Sequence, residues 1–239
     1  MAKENRLGGA ERIRGELLKL GLRVSKRTIQ RYLPKRRRTP SQTWATFLKN
    51  HAADVWAADL AVAHDLLFRP LYVFVIIHLQ TRRIVHTAVT RSPSDEWTAQ
   101  QLREATPWGT GPKYLIRDRD DKYGPLFSEV ARGTGINVLK TPVRAPKAHV
   151  PKARAVCERF IGSLRRECLD HMLIVRSHHL HHVVREYVEY YNHARPHQGT
   201  GQRLPAQFPR TYSPSSGPIT TKPLLGGLHH AYSRATHLH

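Results

Sequence analysis

A chain of 239 residues, 40 % hydrophobic and 24 % charged, is long enough to bury a full core and has the composition of a globular protein. Its charge balance is unusual: 39 Lys and Arg against 18 Asp and Glu leave a formal +21, which points to a polyanionic partner because neutralising phosphates releases condensed counterions. Two cysteines exclude a disulfide framework and a cysteine-built zinc site, and no apolar run is long enough to span a bilayer, so a reducing cytoplasm without a membrane partner is expected.

Residues 10–33 read as two helices around a tight turn. Ile13, Leu17, Leu18 and Leu20 form an apolar stripe, Gly21 suits a helix end, and Ser25 suits the N-cap of a second helix that Pro34 stops. This resembles the last part of a helix-turn-helix, with Lys26, Arg27, Gln30 and Arg31 on the exposed face of the recognition helix. Residues 1–34 are therefore read as a partial DNA-binding region. Residues 35–50, opening with a Lys-Arg-Arg-Arg run, are read as a basic linker that touches phosphates without reading bases.

From residue 51 to 204 the pattern is that of one α/β domain. Three strands are expected at VWAADLAVAH, PLYVFVIIHL and RIVHTAVT, then a helix from Ser94 to about Ala105. A fourth strand, YLIRD, a helix near 124–132 and a fifth strand, NVLKTP, follow. Two amphipathic helices are expected at 155–171 and about 178–191, the first apolar at Val156, Phe160, Ile161, Leu164 and Cys168. The whole predicts a mixed five-stranded sheet flanked by helices, ending in an irregular tail at 205–239 rich in Pro, Gly and Ser.

Charge is sorted along the chain. Residues 1–50 hold 14 basic and 3 acidic side chains, residues 51–139 hold 10 of each, and residues 140–176 hold 9 against 3. A phosphate-binding chain that gathers its acids in one segment has a use for carboxylates there. Asp59 interrupts an apolar strand, where an unpaired carboxylate is costly. Asp118 ends another, and Glu158 lies near the edge of an amphipathic helix's apolar face. Three carboxylates on rigid elements are what two-metal phosphoryl transfer requires.

Six stretches carry a resemblance to a known family: RIRGELLKLGLRVSKRTIQRYL, VWAADL, RPLYVFVIIHLQTRRIVH, LIRDRDDKYG, CERFIGSLRRECLDH and YVEYYNHARPHQG. The chain resembles the DDE integrases and transposases of bacterial insertion sequences, whose catalytic core is related to retroviral integrase. The resemblance implies a ribonuclease H-like fold and an Asp-Asp-Glu triad at Asp59, Asp118 and Glu158. It also implies two Mg²⁺ (or Mn²⁺) ions on that triad, cleavage and strand transfer of double-stranded DNA, and a homo-oligomer assembled on DNA in the bacterial nucleoid.

Basic side chains flank the third carboxylate. Lys147, Lys152, Arg154, Arg159, Arg165 and Arg166 are read as phosphate contacts, and Arg195 and His197 as further DNA contacts. Among other acids, Asp120 and Asp121 fall in the turn after Asp118, Asp54 precedes its strand and Asp65 lies near its far end. Glu167 is the rival third ligand if the helix is rotated. His178 and His182 have a chelating spacing but no third ligand.

Thirty-nine residues lie between Asp118 and Glu158, a longer interval than the family pattern implies, and the excess coincides with a Pro-Lys-Ala unit that occurs twice, at 146–148 and 151–153. Arg154 stands where similar chains tend to have Asn. Two alternatives follow: a transposase remnant that only binds DNA, and a ribonuclease H-like nuclease that cuts without joining.

Overall fold

The computed structural model of the protein describes residues 10–32, 44–140, 151–209 and 217–234. The chain divides into two compact units, Met1–Gln42 and Thr43–His239. In the first, helices α1 (Ala10–Lys19) and α2 (Lys26–Tyr32) bury Ala10, Ile13 and Ile29 against one another, with Leu17 and Val24 packed on them. The turn is set as its residues suggest. Gly21 adopts φ +77°, and the Ser25 hydroxyl accepts the Thr28 N–H at 3.1 Å. Lys26, Arg27, Gln30 and Arg31 are all exposed.

The second unit begins with helix α3 (Trp44–His51), inside the stretch expected to be linker. Leu48 is buried and the Phe47 ring packs edge-on against Tyr114 at 5.0 Å, so two apolar side chains dock a segment read as basic linker; the Lys-Arg-Arg-Arg run itself lies outside the described residues. Strands β1 (Val55–His64), β2 (Pro70–His78), β3 (Ile84–Thr90), β4 (Tyr114–Arg117) and β5 (Asn137–Lys140) form one sheet in the order β3-β2-β1-β4-β5. The first three pair antiparallel; β4 pairs parallel with β1 and with β5.

Helices α4 (Asp95–Ala105) and α5 (Pro125–Gly133) cover one face of the sheet; α6 (Pro151–Glu167) and α7 (Ser177–His193) cover the other. Alternation assigns the side chains: Trp56, Ala58, Phe74, Ile76 and Leu115 face α4 and α5, while Val55, Ala57, Ala61, Val75 and Ile116 face α6 and α7. Burial on both faces explains why β2 reads as an unbroken apolar run. Asn192 of α7 clamps the start of β3, donating to the Ile84 carbonyl at 3.0 Å and accepting its N–H at 2.9 Å.

The tail is not irregular throughout, which corrects the sequence expectation. Strands β6 (Ile219–Leu224) and β7 (His229–Arg234) form an antiparallel hairpin turned by Gly226 and Gly227, both at positive φ. Leu225 is buried in the core at the hairpin's turn, and the His229 ring stacks on Tyr190 at 4.5 Å. Pro, Gly and Ser in the flanking sequence conceal two short strands that are themselves largely exposed.

Asp95 ties the two helices on the first face. Its carboxylate accepts N–H bonds from Gly124, Leu126 and Phe127 at 2.8–2.9 Å, capping α5 from the first turn of α4. Asp95→Ala is expected to destabilise the second unit by about 1–2 kcal/mol, read as a lower urea midpoint with an unchanged slope.

Candidate active site

The parallel pairing of β1 with β4 sets the position of two of the expected carboxylates. Ala57 pairs with Ile116, so carrying the register two residues forward brings Asp59 level with Asp118, at the end of β4. Both share the parity of Ala57 and Ile116 and so face α6. Asp59 and Asp118 are half-buried and line one small recess together with Ala57, Ala58, Ile116, Arg117 and Cys157 of α6. Asp59 accepts the Leu60 N–H at 2.9 Å, and Asp118 the Asp120 N–H at 3.1 Å.

Sequence reasoning missed Cys157 as a wall of this recess. The helix buries Val156, Cys157, Phe160 and Leu164, which turns Glu158 outward to an exposed position beside it. Burial pushes the Cys157 thiol well up, and the neighbouring Asp59 and Glu158 carboxylates push it further. The thiol therefore sits within electrostatic reach of carboxylates on two elements and is inert as a nucleophile.

Beneath the recess, Arg117 points to the opposite face, as its parity in YLIRD requires. Its guanidinium is buried over the rings of Tyr123, at 5.2 Å, and Phe127, at 5.9 Å, and donates to the Asp118 carbonyl at 3.0 Å. The Arg117 Nε and the Tyr123 hydroxyl are buried with no hydrogen-bond partner among the described residues. Desolvation lowers the Arg117 pKa and, together with Asp59 and Asp118, holds the Tyr123 phenol well up.

As a donor set, two carboxylates, one in the middle of β1 and one at the end of β4, offer the hard oxygens that a divalent cation such as Mg²⁺ or Mn²⁺ prefers. The third is not gathered with them: among the described residues, no group of three or more His, Cys, Asp or Glu is placed to hold a metal ion. The Asp59–Asp118 pair suits such an ion in donor chemistry; Glu158, exposed next to Cys157, is not among the residues that line the recess.

The rival acids have other partners. Glu167 forms a two-pronged ion pair with Arg195, at 2.6 and 2.8 Å, and accepts the Tyr187 hydroxyl at 2.9 Å. Asp65 has a fully buried side chain that accepts from the Leu67 and Arg69 backbones and from the Arg69 and Arg91 guanidiniums. Burial raises its pKa, but these donors outweigh that and hold it far below the usual carboxylate range. Asp120 pairs with Lys122 at 2.8 Å.

The expected basic contacts are likewise divided. Arg159 and Arg166 are exposed on α6, whereas Arg165 donates to the Val62 carbonyl at 3.0 Å, fastening the helix to β1. Lys147 and the side chains of Lys152 and Arg154 lie outside the described residues. Arg195 is committed to Glu167, and His197 is buried with its Nε2 against the Tyr191 carbonyl at 3.1 Å, so both serve the fold.

The family described as Integrase core domain matches residues 143–205. The insertion element IS476 uncharacterized 39.2 kDa protein of Xanthomonas euvesicatoria is 26 % identical over 161 residues, 66 % of this chain and 45 % of the relative. The insertion element IS407 uncharacterized 31.7 kDa protein of Burkholderia multivorans is 24 % identical over 155 residues, 65 % of this chain and 54 % of the relative. The chain thus spans about half the length of the curated relatives it matches.

Among solved structures, a chain of the simian T-cell lymphotropic virus intasome superposes with TM-score 0.53 at 13 % identity, covering 75 % of this chain and 66 % of that one. The HTLV-2 integrase catalytic core domain, solved in complex with magnesium, gives 0.51 at 11 % identity, covering 65 % and 95 %. The fold is therefore ribonuclease H-like, of the retroviral integrase core type.

Burial raises the Glu167 pKa, but the hydrogen bonds from Arg195 and Tyr187 outweigh it, so the folded value lies below the unfolded one. The pair's stabilisation is then complete above the unfolded pKa, near 4.3 for Glu, and is lost as pH falls through the folded value. Glu167→Gln is expected to lower stability at neutral pH by about 2 kcal/mol and to flatten the acid limb, checked by urea unfolding between pH 3 and 7.

Proposed function

We infer that this chain, which resembles the DDE-type integrases and transposases of insertion sequences in sequence and fold, cuts and joins DNA phosphodiesters using divalent metal at Asp59, Asp118 and Glu158. The observation that carries the reading is the β1–β4 register, which brings two carboxylates from distant parts of the chain to one recess. Supporting it are the +21 charge, the integrase core match and the two insertion-element relatives.

Asp59 and Asp118 supply the rigid part of the site, each on or next to a strand packed on both faces. Glu158 supplies the third carboxylate, from α6 next to Cys157. When bound, Mg²⁺ or Mn²⁺ would activate the attacking water or 3′-hydroxyl and neutralise the leaving oxygen. Arg117 sets a fixed positive charge behind the Asp118 backbone. Lys26, Arg27, Gln30 and Arg31 form the exposed basic face of the first unit, suited to DNA at an element end. Lys147, Lys152, Arg154, Arg159 and Arg166 are assigned to DNA phosphates. Action on paired element ends calls for a homo-oligomer on double-stranded DNA.

A second reading is a remnant that binds DNA without cutting it. Glu158 outside a gathered metal set and the repeated Pro-Lys-Ala unit favour it. Incubation with end-mimicking oligonucleotides and Mg²⁺ or Mn²⁺ separates the two. Joined product is expected, and Asp118→Asn should lower its formation about 10³-fold, the worth of several kcal/mol of metal-derived charge stabilisation. The gel shift should be unchanged in that variant. Joining that survives Asp118→Asn would reject the site, cutting without joining would indicate a nuclease, and a gel shift without product would indicate the remnant.

A further inference from the structure

A second opening flanks α6 next to the acidic recess. It is a cleft of about 580 Å³ between α6, the β2–β3 turn and the segment after α7. Val156, Arg159, Ser163 and Arg166 supply its helical wall, spaced to share one helix face. Arg82 faces them from the turn, and Gln198 and Gln202 stand opposite. No carboxylate is among its described lining residues. Arg195 also borders the cleft, but its charge is matched by Glu167. Three arginines remain to set the field: Arg82, Arg159 and Arg166.

The placement of Arg82 is costly twice over. It occupies the left-handed region, φ +66°, where a glycine would be unstrained. Its guanidinium is also partly desolvated and faces Arg159, and burial first, then that like charge, lowers its pKa. Arg166 reaches back over Gly162, where even a Cβ would come within 2.9 Å of its Nη1. Such converging cations are relieved by an anion between them.

We propose that this cleft is a binding site for the phosphodiester backbone of a DNA strand, held through Arg82, Arg159 and Arg166. Val156 lines the cleft and its neighbour Cys157 lines the acidic recess, so a strand seated there would run beside the candidate active site. The inference rests on the reading of the chain as a DNA-processing protein and adds a specific seat for the strand. It also separates Arg159 and Arg166, which face the cleft, from Arg165, which does not.

The test is the salt dependence of affinity for a labelled DNA duplex, measured by fluorescence anisotropy in an Asp118→Asn background so that no chemistry intervenes. Removing one phosphate-binding cation should reduce the slope of log affinity against log salt by about 0.9. Arg82→Gly and Arg166→Gln are each expected to reduce the slope by about that amount. Arg185→Gln, exposed on α7 outside the cleft, should leave it unchanged. Arg82→Gly relieves the left-handed strain, so a melting temperature near the parent's shows that the weaker salt dependence is not unfolding. A slope equal to the parent's in both cleft variants overturns the proposal while leaving the DNA-processing reading intact. Absence of cut and joined product from the chain carrying Asp118 would sink that reading without altering the slope.

Discussion

The alignment of two parallel strands sets where the two carboxylates of the proposed site lie. β1 and β4 are far apart in sequence, yet their pairing fixes Asp59 and Asp118 side by side. The register is not a matter of backbone hydrogen bonds alone. Both faces of β1 are buried, so a slip of one residue would turn Ala57 and Asp59 toward α4 and α5 and drive Trp56 into the α6 side. The apolar core thus specifies where the carboxylates point. A buried carboxylate is costly; leaving both half-exposed in a shared recess limits that cost.

The same core determines what the third carboxylate can do. α6 is anchored by Val156, Cys157, Phe160 and Leu164, and Arg165 fastens it to the Val62 carbonyl. Glu158 therefore has a fixed helical phase between a buried thiol and an exposed arginine. Glu167, half a turn out of phase, is taken up by Arg195 and Tyr187, which also secure the end of α6 to α7. One acid of the helix serves structure, and the other is exposed one residue from the recess wall at Cys157.

Much of this was legible in the sequence, for identifiable reasons. The apolar alternation of VWAADLAVAH and the break after YLIRD place β1 and β4, and Ser94 marks the start of α4, where its hydroxyl accepts the Trp97 N–H at 3.2 Å. What was illegible depended on contacts between distant segments. α3 is held by Leu48 and by Phe47 against Tyr114; the β6–β7 hairpin is held by Leu225 and His229. Neither segment has a strong pattern of its own. Total charge likewise could not sort the arginines. Arg117, Arg165 and Arg195 serve the fold, whereas Arg82, absent from the sequence-based candidates, lines a basic cleft.

The central claim is that Asp59 and Asp118, completed by Glu158, grip divalent metal. Anomalous scattering from crystals of the protein soaked in Mn²⁺ tests it most directly. The account predicts a Mn²⁺ peak in the recess with carboxylate oxygens of Asp59 and Asp118 within coordination distance, ~2.1 Å for a small octahedral cation, and Glu158 drawn toward it. A peak held by other side chains, or none at saturating Mn²⁺, would contradict it.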